Sequence, residues 1–171
     1  MENQTTTTRT ALKWGVIFGI ISALISTGTY VLGQVGNKNL TYVICLIIGL
    51  GVFFSVKDFK KENQGFMTFS QGLGLGTMMS TIMGLISSFY TFAYMKFIDT
   101  SINSQMLKLA EQEFEKKGIP DDQMEQSMEM MKMAFSPGVM FIFGLIFVVF
   151  IGFISSLIIS GIVKKDKPVF E

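Results

Sequence analysis

Hydrophobic residues form four long runs in this chain, and no charged side chain interrupts any of them. The uncharged stretches after Lys13, Lys38, Glu62 and Lys132 contain 24, 18, 33 and 31 residues. A helix needs roughly 20 apolar residues to cross a membrane, so each run predicts one crossing and none is long enough for two. We place the four spans at residues 14–32, 40–56, 72–92 and 139–163.

Two other interpretations of these runs are less consistent with the pattern. Helices of a soluble bundle keep a charged, polar face toward water, and none of the four runs has such a face. The first run follows Arg9 and Lys13, as in a signal peptide, but it is longer than the apolar core of one and lacks an Ala-x-Ala cleavage site. We therefore expect an all-α, integral membrane four-helix bundle that is surrounded by the lipid bilayer.

The longest segment outside the spans, residues 98–136, predicts a helical hairpin between spans three and four. Its first helix is expected over residues 100–117, and its second is expected to start after Pro120, with Asp122 and Glu125 at capping-box spacing. Apolar residues of the second helix recur on one stripe, which predicts a packing or docking face. This face consists of Met124, Met128, Met131 and Phe135.

The ends of the chain complete the predicted organisation. Residues 1–10 are rich in threonine and have nothing to bury, so we expect a disordered tail there. Residues 11–171 then form a single four-span membrane domain that includes the hairpin.

Basic residues flank the spans asymmetrically. They precede span one, fill the short link after span two and follow span four: Arg9, Lys13, Lys57, Lys60, Lys61, Lys164, Lys165 and Lys167. Residues 96–136 instead carry five lysines against eight acidic residues. Because lysine and arginine concentrate in short cytoplasmic loops, both termini are expected in the cytoplasm and the hairpin outside.

Small residues recur every four positions in the spans, and such stripes let helix backbones approach closely in lipid. We expect a helix-packing seam on spans three and four, formed by Gly72, Gly76, Ser80, Gly84, Ser88, Gly144, Gly152 and Ser156. Val148 interrupts the stripe on span four. The same stripes could line a polar path or form a contact between two copies of the chain.

Composition limits the chemistry that the chain can perform. It has 171 residues, 14 basic against 13 acidic residues, no histidine and one cysteine, Cys45. A Cys/His zinc site, a disulfide within the chain and a histidine base are therefore ruled out. The net charge of +1 gives no reason to expect nucleic acid as a partner. The lack of ionisable groups inside the spans argues against proton-coupled transport.

Three ligand sites suggested by local patterns are also weak. The glycines at 72–76 lack the Lys-Ser/Thr of a phosphate loop, and the hairpin acids lack the calcium-loop pattern. Methionines crowd the second hairpin helix, and their soft thioethers suit Cu(I), but their spacing is what helix packing alone requires. No cofactor or metal is expected.

The layout of the chain resembles a known family. ALKWG at 11–15, FMTFSQGLGLG at 66–76, the acidic hairpin with KGIPD at 117–121 and the final Lys-Lys together resemble bacterial membrane proteins grouped as domain of unknown function 4199. The resemblance covers nearly the whole chain. It implies a four-span bacterial inner-membrane protein, and it implies no activity, cofactor or site.

These patterns leave two function classes open. The first is a non-enzymatic scaffold or accessory subunit whose outer hairpin docks a protein partner. The alternative is a small channel or transporter, formed by one chain or by an oligomer in which copies of the chain self-associate. An enzyme is not expected, because no carboxylate, histidine or metal group is placed for catalysis near the bilayer.

Overall fold

The computed structural model describes residues 7–167, and it confirms the predicted all-α fold. Four helices are long and apolar enough to cross a membrane, and α4 and α5 form a hairpin between the last two of them. The helices are α1 (Thr7–Val31), α2 (Lys38–Glu62), α3 (Phe69–Ala93) with a π-helical turn (Tyr94–Ile98), α4 (Ser101–Lys116), α5 (Asp121–Ala134) and α6 (Pro137–Val163).

The central helix of the bundle is α3. It packs most extensively against α6 and α1, while α2 contacts all three other spans. The core between α2 and α3 consists of fully or almost fully buried apolar side chains: Ile48, Val52, Val56, Leu75, Met79 and Met83. Large apolar side chains on the outer faces stay exposed, such as Leu24 at 66% and Leu46 at 63%, as expected where lipid replaces water.

The bundle has two chemically different ends. At the lysine end, which comprises the α1 start, the α2–α3 turn and the α6 terminus, the backbone groups of Met67 and Lys165 exchange two hydrogen bonds of 2.9 Å. Lys60 Nζ also donates to the carbonyl oxygen of Val163 over 2.7 Å. The opposite, hairpin end comprises the α1–α2 turn, the π-helical turn, α4 and α5. The three basic segments therefore lie together at one end of the bundle.

The second helix is longer than the sequence predicts. Lys57, Lys60 and Lys61 lie on its last turns, so their placement in a connecting loop was wrong. Lysine side chains near a helix C-terminus interact favourably with the helix dipole, which favours continuing the helix beyond the apolar run. Only residues 63–68 connect α2 to α3.

The capping-box prediction at Asp122 and Glu125 was also wrong. Helix α5 begins at Asp121, directly after Pro120 as expected, but its N-cap is Pro120, two residues before Asp122, and no side chain caps it. The proline ring sets the backbone before the helix, so a side-chain cap is not needed to start it. A complete capping box instead opens α3, where Thr68 and Gln71 bond each other's backbone N–H groups.

The first helix begins at Thr7, inside the segment 1–10 that was expected to be a disordered tail. For residues 7–10 the expectation was wrong, because Thr10 and Ala11 are buried at the start of α1 and extend the helix. The rest of that segment lies outside the described residues.

Candidate functional site

The seam between α3 and α6 runs through the middle of the bundle. Each step of four residues along α3 corresponds to a step of four residues backward along α6, because the two helices are antiparallel. The opposing pairs are Gly72 with Ser160, Gly76 with Ser156, Ser80 with Gly152, Gly84 with Val148, and Ser88 with Gly144. All eight residues of the predicted seam thus lie at this one interface.

A glycine on one helix faces a larger residue on the other in every pair. A Cβ atom added at Gly144 would lie 3.0 Å from Ser88 Oγ, and one added at Gly84 would lie 3.3 Å from Val148 Cβ. Val148, which interrupts the stripe of small residues, therefore fills the space that Gly84 leaves. The seam brings the backbones close with no room for an additional side chain.

Two serine hydroxyls of the seam, those of Ser80 and Ser156, bond within their own helices, whereas Ser160 Oγ is buried without a hydrogen-bond partner among the described residues. Ser80 Oγ donates to the Gly76 carbonyl over 2.9 Å, and Ser156 Oγ donates to the Gly152 carbonyl over 2.6 Å. Both serine side chains are fully buried. Hydroxyls that are buried and locally satisfied do not present a polar surface to a passing solute, so the geometry at Ser80 and Ser156 is that of helix packing.

At the hairpin end, α4 packs against the π-helical turn that ends α3. Ile102 is 1% exposed and clusters with Tyr94 and Met95 of the π-helical turn. A cleft of about 240 Å³ remains between α4 and the α1–α2 turn. The cleft is lined mainly by apolar and uncharged polar groups, which include Tyr30, Gln34, Asn37, Thr41, Met106 and Met140.

Two further contacts hold α4 to the α1–α2 turn. Lys38 Nζ lies 3.0 Å from Glu113 Oε1, and this hydrogen bond from Lys38 lowers the pKa of the Glu113 carboxyl. Leu109 lies over Gly36, which has a φ of +82° and where an added Cβ would come within 2.8 Å of Leu109 Cδ1. The ion pair is exposed, so the apolar contact with the turn contributes more to holding the hairpin in place.

Replacing Gly36 with alanine is expected to loosen α4 from the bundle. The variant would incur about 1–2 kcal/mol of left-handed backbone strain and would also push Leu109 away. Hydrogen–deuterium exchange of α4 amides measures the loosening. Gly33→Ala is the matched control, because Gly33 has a φ of +63° but nothing within 4 Å of an added Cβ. Equal exchange of α4 in both variants would show that Leu109 does not hold the hairpin.

The predicted docking face of α5 is half-buried. Met124, Met128, Met131 and Phe135 all have intermediate exposure, and α5 contacts α4 and α6. The methionines that project freely are Met130 and Met133, at 71% and 73% exposed. Sequence periodicity therefore identified the stripe of α5 that is partly buried in the fold. It did not single out Met130 and Met133, which are the exposed methionines of this helix.

The lysine end contains a clamp that the sequence did not reveal. Asp58 Oδ2 of α2 accepts a hydrogen bond from Lys13 Nζ at 2.7 Å and another from Trp14 Nε1 at 2.8 Å, both from α1. The Trp14 ring stacks on Phe54 at a centroid distance of 5.6 Å. An acidic residue amid lysines near the end of an apolar run is a signal that could have suggested this partner.

The titratable residues of the described part do not gather into a metal-binding site. Within residues 7–167, no three histidine, cysteine, aspartate or glutamate side chains come together as a group that could hold a metal ion. Cys45 is a half-buried free thiol on α2. The arrangement that stands out is therefore a close-packed four-span bundle with a hairpin fixed over one end.

One of the comparisons with known proteins finds a match, and it covers most of the chain. The sequence model of the family described as "Protein of unknown function (DUF4199)" matches residues 13–165. The matched segment begins at Lys13, which bonds Asp58, and ends at Lys165, whose backbone bonds that of Met67. The chain belongs to the DUF4199 family. No curated protein and no solved structure matches the chain. DUF4199 membership confirms the resemblance seen in the sequence, and the four apolar helices make this member a multi-pass membrane protein.

Proposed function

We propose that this protein is a non-enzymatic membrane scaffold or accessory subunit whose outer hairpin docks a protein partner. The observation that carries the proposal is the exposure of Met130 and Met133 on a hairpin whose first helix is held to the bundle. A methionine pair of this exposure is an adaptable apolar contact surface. A hairpin fixed at α4 presents this surface without a large loss of conformational freedom on binding.

Charge on the hairpin specifies the kind of partner. Exposed acidic residues outnumber exposed lysines on α4 and α5: Glu111, Glu113, Glu115, Asp122, Glu125 and Glu129 against Lys108, Lys116 and Lys132. A protein segment with a basic rim and an apolar pocket would complement this surface. We propose that the partner is another membrane protein, which presents such a basic segment on the same side of the membrane as the hairpin.

The proposed orientation follows the positive-inside rule. The lysine end would face the cytoplasm of a bacterial inner membrane and both termini would lie there, because the three basic segments meet at that end. The hairpin and its partner would then be extracytoplasmic. Labelling of single cysteines introduced at Gln126 and at Gln64, in a Cys45→Ser background with a membrane-impermeant thiol reagent, tests the two sides separately.

Met133→Glu is expected to abolish the complex with the partner, because it places a charge in the apolar centre of the proposed contact. The complex is isolated from native membranes in mild detergent, and its stoichiometric partner is identified before the variant is compared. Gln112→Glu adds the same charge at an exposed position of α4 and is expected to keep the complex. Raising the salt concentration should weaken it, since the complementary charges are screened.

Two results would overturn the proposal. One is a stoichiometric complex that survives both Met133→Glu and deletion of residues 100–135. The other is selective solute flux in liposomes that contain the purified chain, which would favour the channel or transporter alternative. The closed α3–α6 seam supports the scaffold instead, because its small residues face each other rather than a solvent path.

A further inference from the structure

A cleft at the lysine end combines an apolar floor with a basic rim. It has a volume of about 390 Å³ and lies between the last turns of α2 and the end of α6. Phe53, Val56 and Val163 line its apolar part, and Lys57, Lys60 and Lys61 line its basic part. The cleft is at the opposite end from the hairpin, so it has no role in the proposed docking.

The polarity of the cleft changes along the α2 axis. With a rise of about 1.5 Å per residue, Lys57 lies about 6 Å and Lys61 about 12 Å farther along the axis than Phe53. Phe53 is 42% exposed and lies within the apolar run, whereas Lys57 and Lys61 lie beyond it. Hydrocarbon contacts are therefore followed by cationic contacts in the direction that leads out of a membrane, as in a phospholipid.

The lysines differ in how far they are already engaged. Lys60 Nζ donates to the Val163 carbonyl and closes one wall of the cleft. Lys57 and Lys61 are exposed, and neither forms an ion pair with any residue between Thr7 and Lys167. Asp58, which follows Lys57, is already bonded to Lys13 and Trp14, and Glu62, which follows Lys61, is exposed and forms no ion pair within the described residues. Two ammonium groups therefore remain available for an external anion.

We propose that this cleft binds an anionic phospholipid, with the phosphate held by Lys57 and Lys61 and an acyl chain lying against Phe53. Basic pockets between spans on the cytoplasmic side suit anionic headgroups, and each lysine adds to the attraction. The apolar floor selects a lipid over a soluble phosphate, because a soluble phosphate would leave Phe53 without a partner.

Native mass spectrometry of the full chain in a neutral detergent tests the proposal. The chain is titrated with phosphatidylglycerol, with phosphatidylcholine as the neutral lipid and with glycerol phosphate as the soluble anion. We expect retention of phosphatidylglycerol over the other two ligands. Lys57→Gln/Lys61→Gln should weaken its binding by about tenfold or more. Lys57→Arg/Lys61→Arg should retain it, because both charges remain.

Lys164→Gln/Lys167→Gln is the matched control, since it removes the same charge at the same end from exposed residues that do not line the cleft. It should change phosphatidylglycerol binding less than twofold. Equal losses in the two glutamine variants would show diffuse attraction and overturn the site. Equal binding of both phospholipids would also overturn it, and so would competition by glycerol phosphate at the affinity of the lipid. Phe53→Ala should weaken lipid binding and leave helicity unchanged.

Discussion

Replacing Gly152 with serine should destabilise the bundle by about 2 kcal/mol, because a side chain there would collide with Ser80 across the α3–α6 seam. A loss of this size lowers the melting temperature of a chain of this length by roughly 4–8 °C. Thermal unfolding in detergent measures it, with the emission of Trp14, the one tryptophan in the sequence, as the signal.

The seam also predicts a rescue. Adding Ser80→Gly to Gly152→Ser exchanges the two members of the pair and restores their combined volume. We expect the double variant to recover most of the loss, since residues in direct contact couple by about 0.5–3 kcal/mol. Gly161→Ser is the control, because a Cβ at Gly161 meets nothing within 4 Å. Simple additivity of the two single variants would contradict the Gly152–Ser80 contact.

Removing the carboxylate of Asp58 is the second change with a large expected effect. Asp58→Ala leaves the half-buried Trp14 N–H without an acceptor and Lys13 without its ion pair, at a cost of about 2 kcal/mol. The free energy of unfolding should fall, and Trp14 emission should shift to longer wavelength in the folded state as water reaches the indole.

Two companion variants separate the contributions to this clamp. Asp58→Asn keeps an acceptor for Trp14 and loses the charge, so we expect a loss of about 1 kcal/mol or less, because Lys13 is half exposed. Glu62→Ala removes one negative charge a turn farther along α2, from an exposed side chain, and should leave Trp14 emission unchanged. If Glu62→Ala matched Asp58→Ala, the effect would come from net charge and not from the clamp.

Sequence periodicity predicted the parts of the fold that depend on repeated, one-sided patterns. The length of each uncharged run gave the number of spans, and small residues at every fourth position indicated which faces of α3 and α6 approach closely. The capping box of Thr68 and Gln71 lies in the segment 66–76, which carries part of the family resemblance. Each of these signals is contained in the sequence of a single helix, so it can be recognised without knowing which helices pack together.

The parts that the sequence did not predict depend on pairs of distant residues. Asp58 and Trp14 are separated by 44 positions, and no local pattern links them. The choice between the two methionine sets of α5 depends on where α4 lies, and Leu109 over Gly36 helps to fix that position. The pairing of Val148 with Gly84 likewise depends on the register between α3 and α6, which the pattern of either helix alone does not contain.

That register has a mechanical consequence for how the protein meets membranes of different thickness. Sliding α6 by one turn, about 6 Å, would set Ser80 against Val148 and Gly76 against Gly152, or in the other direction Ser80 against Ser156 and Gly84 against Gly152. Either shift sets larger residues against each other at some positions and glycines against each other at others, so the packing holds α3 and α6 in one register. The height of the molecule is thereby fixed, and a thinner or thicker bilayer has to be accommodated by tilting the whole bundle or by deforming the lipid around it.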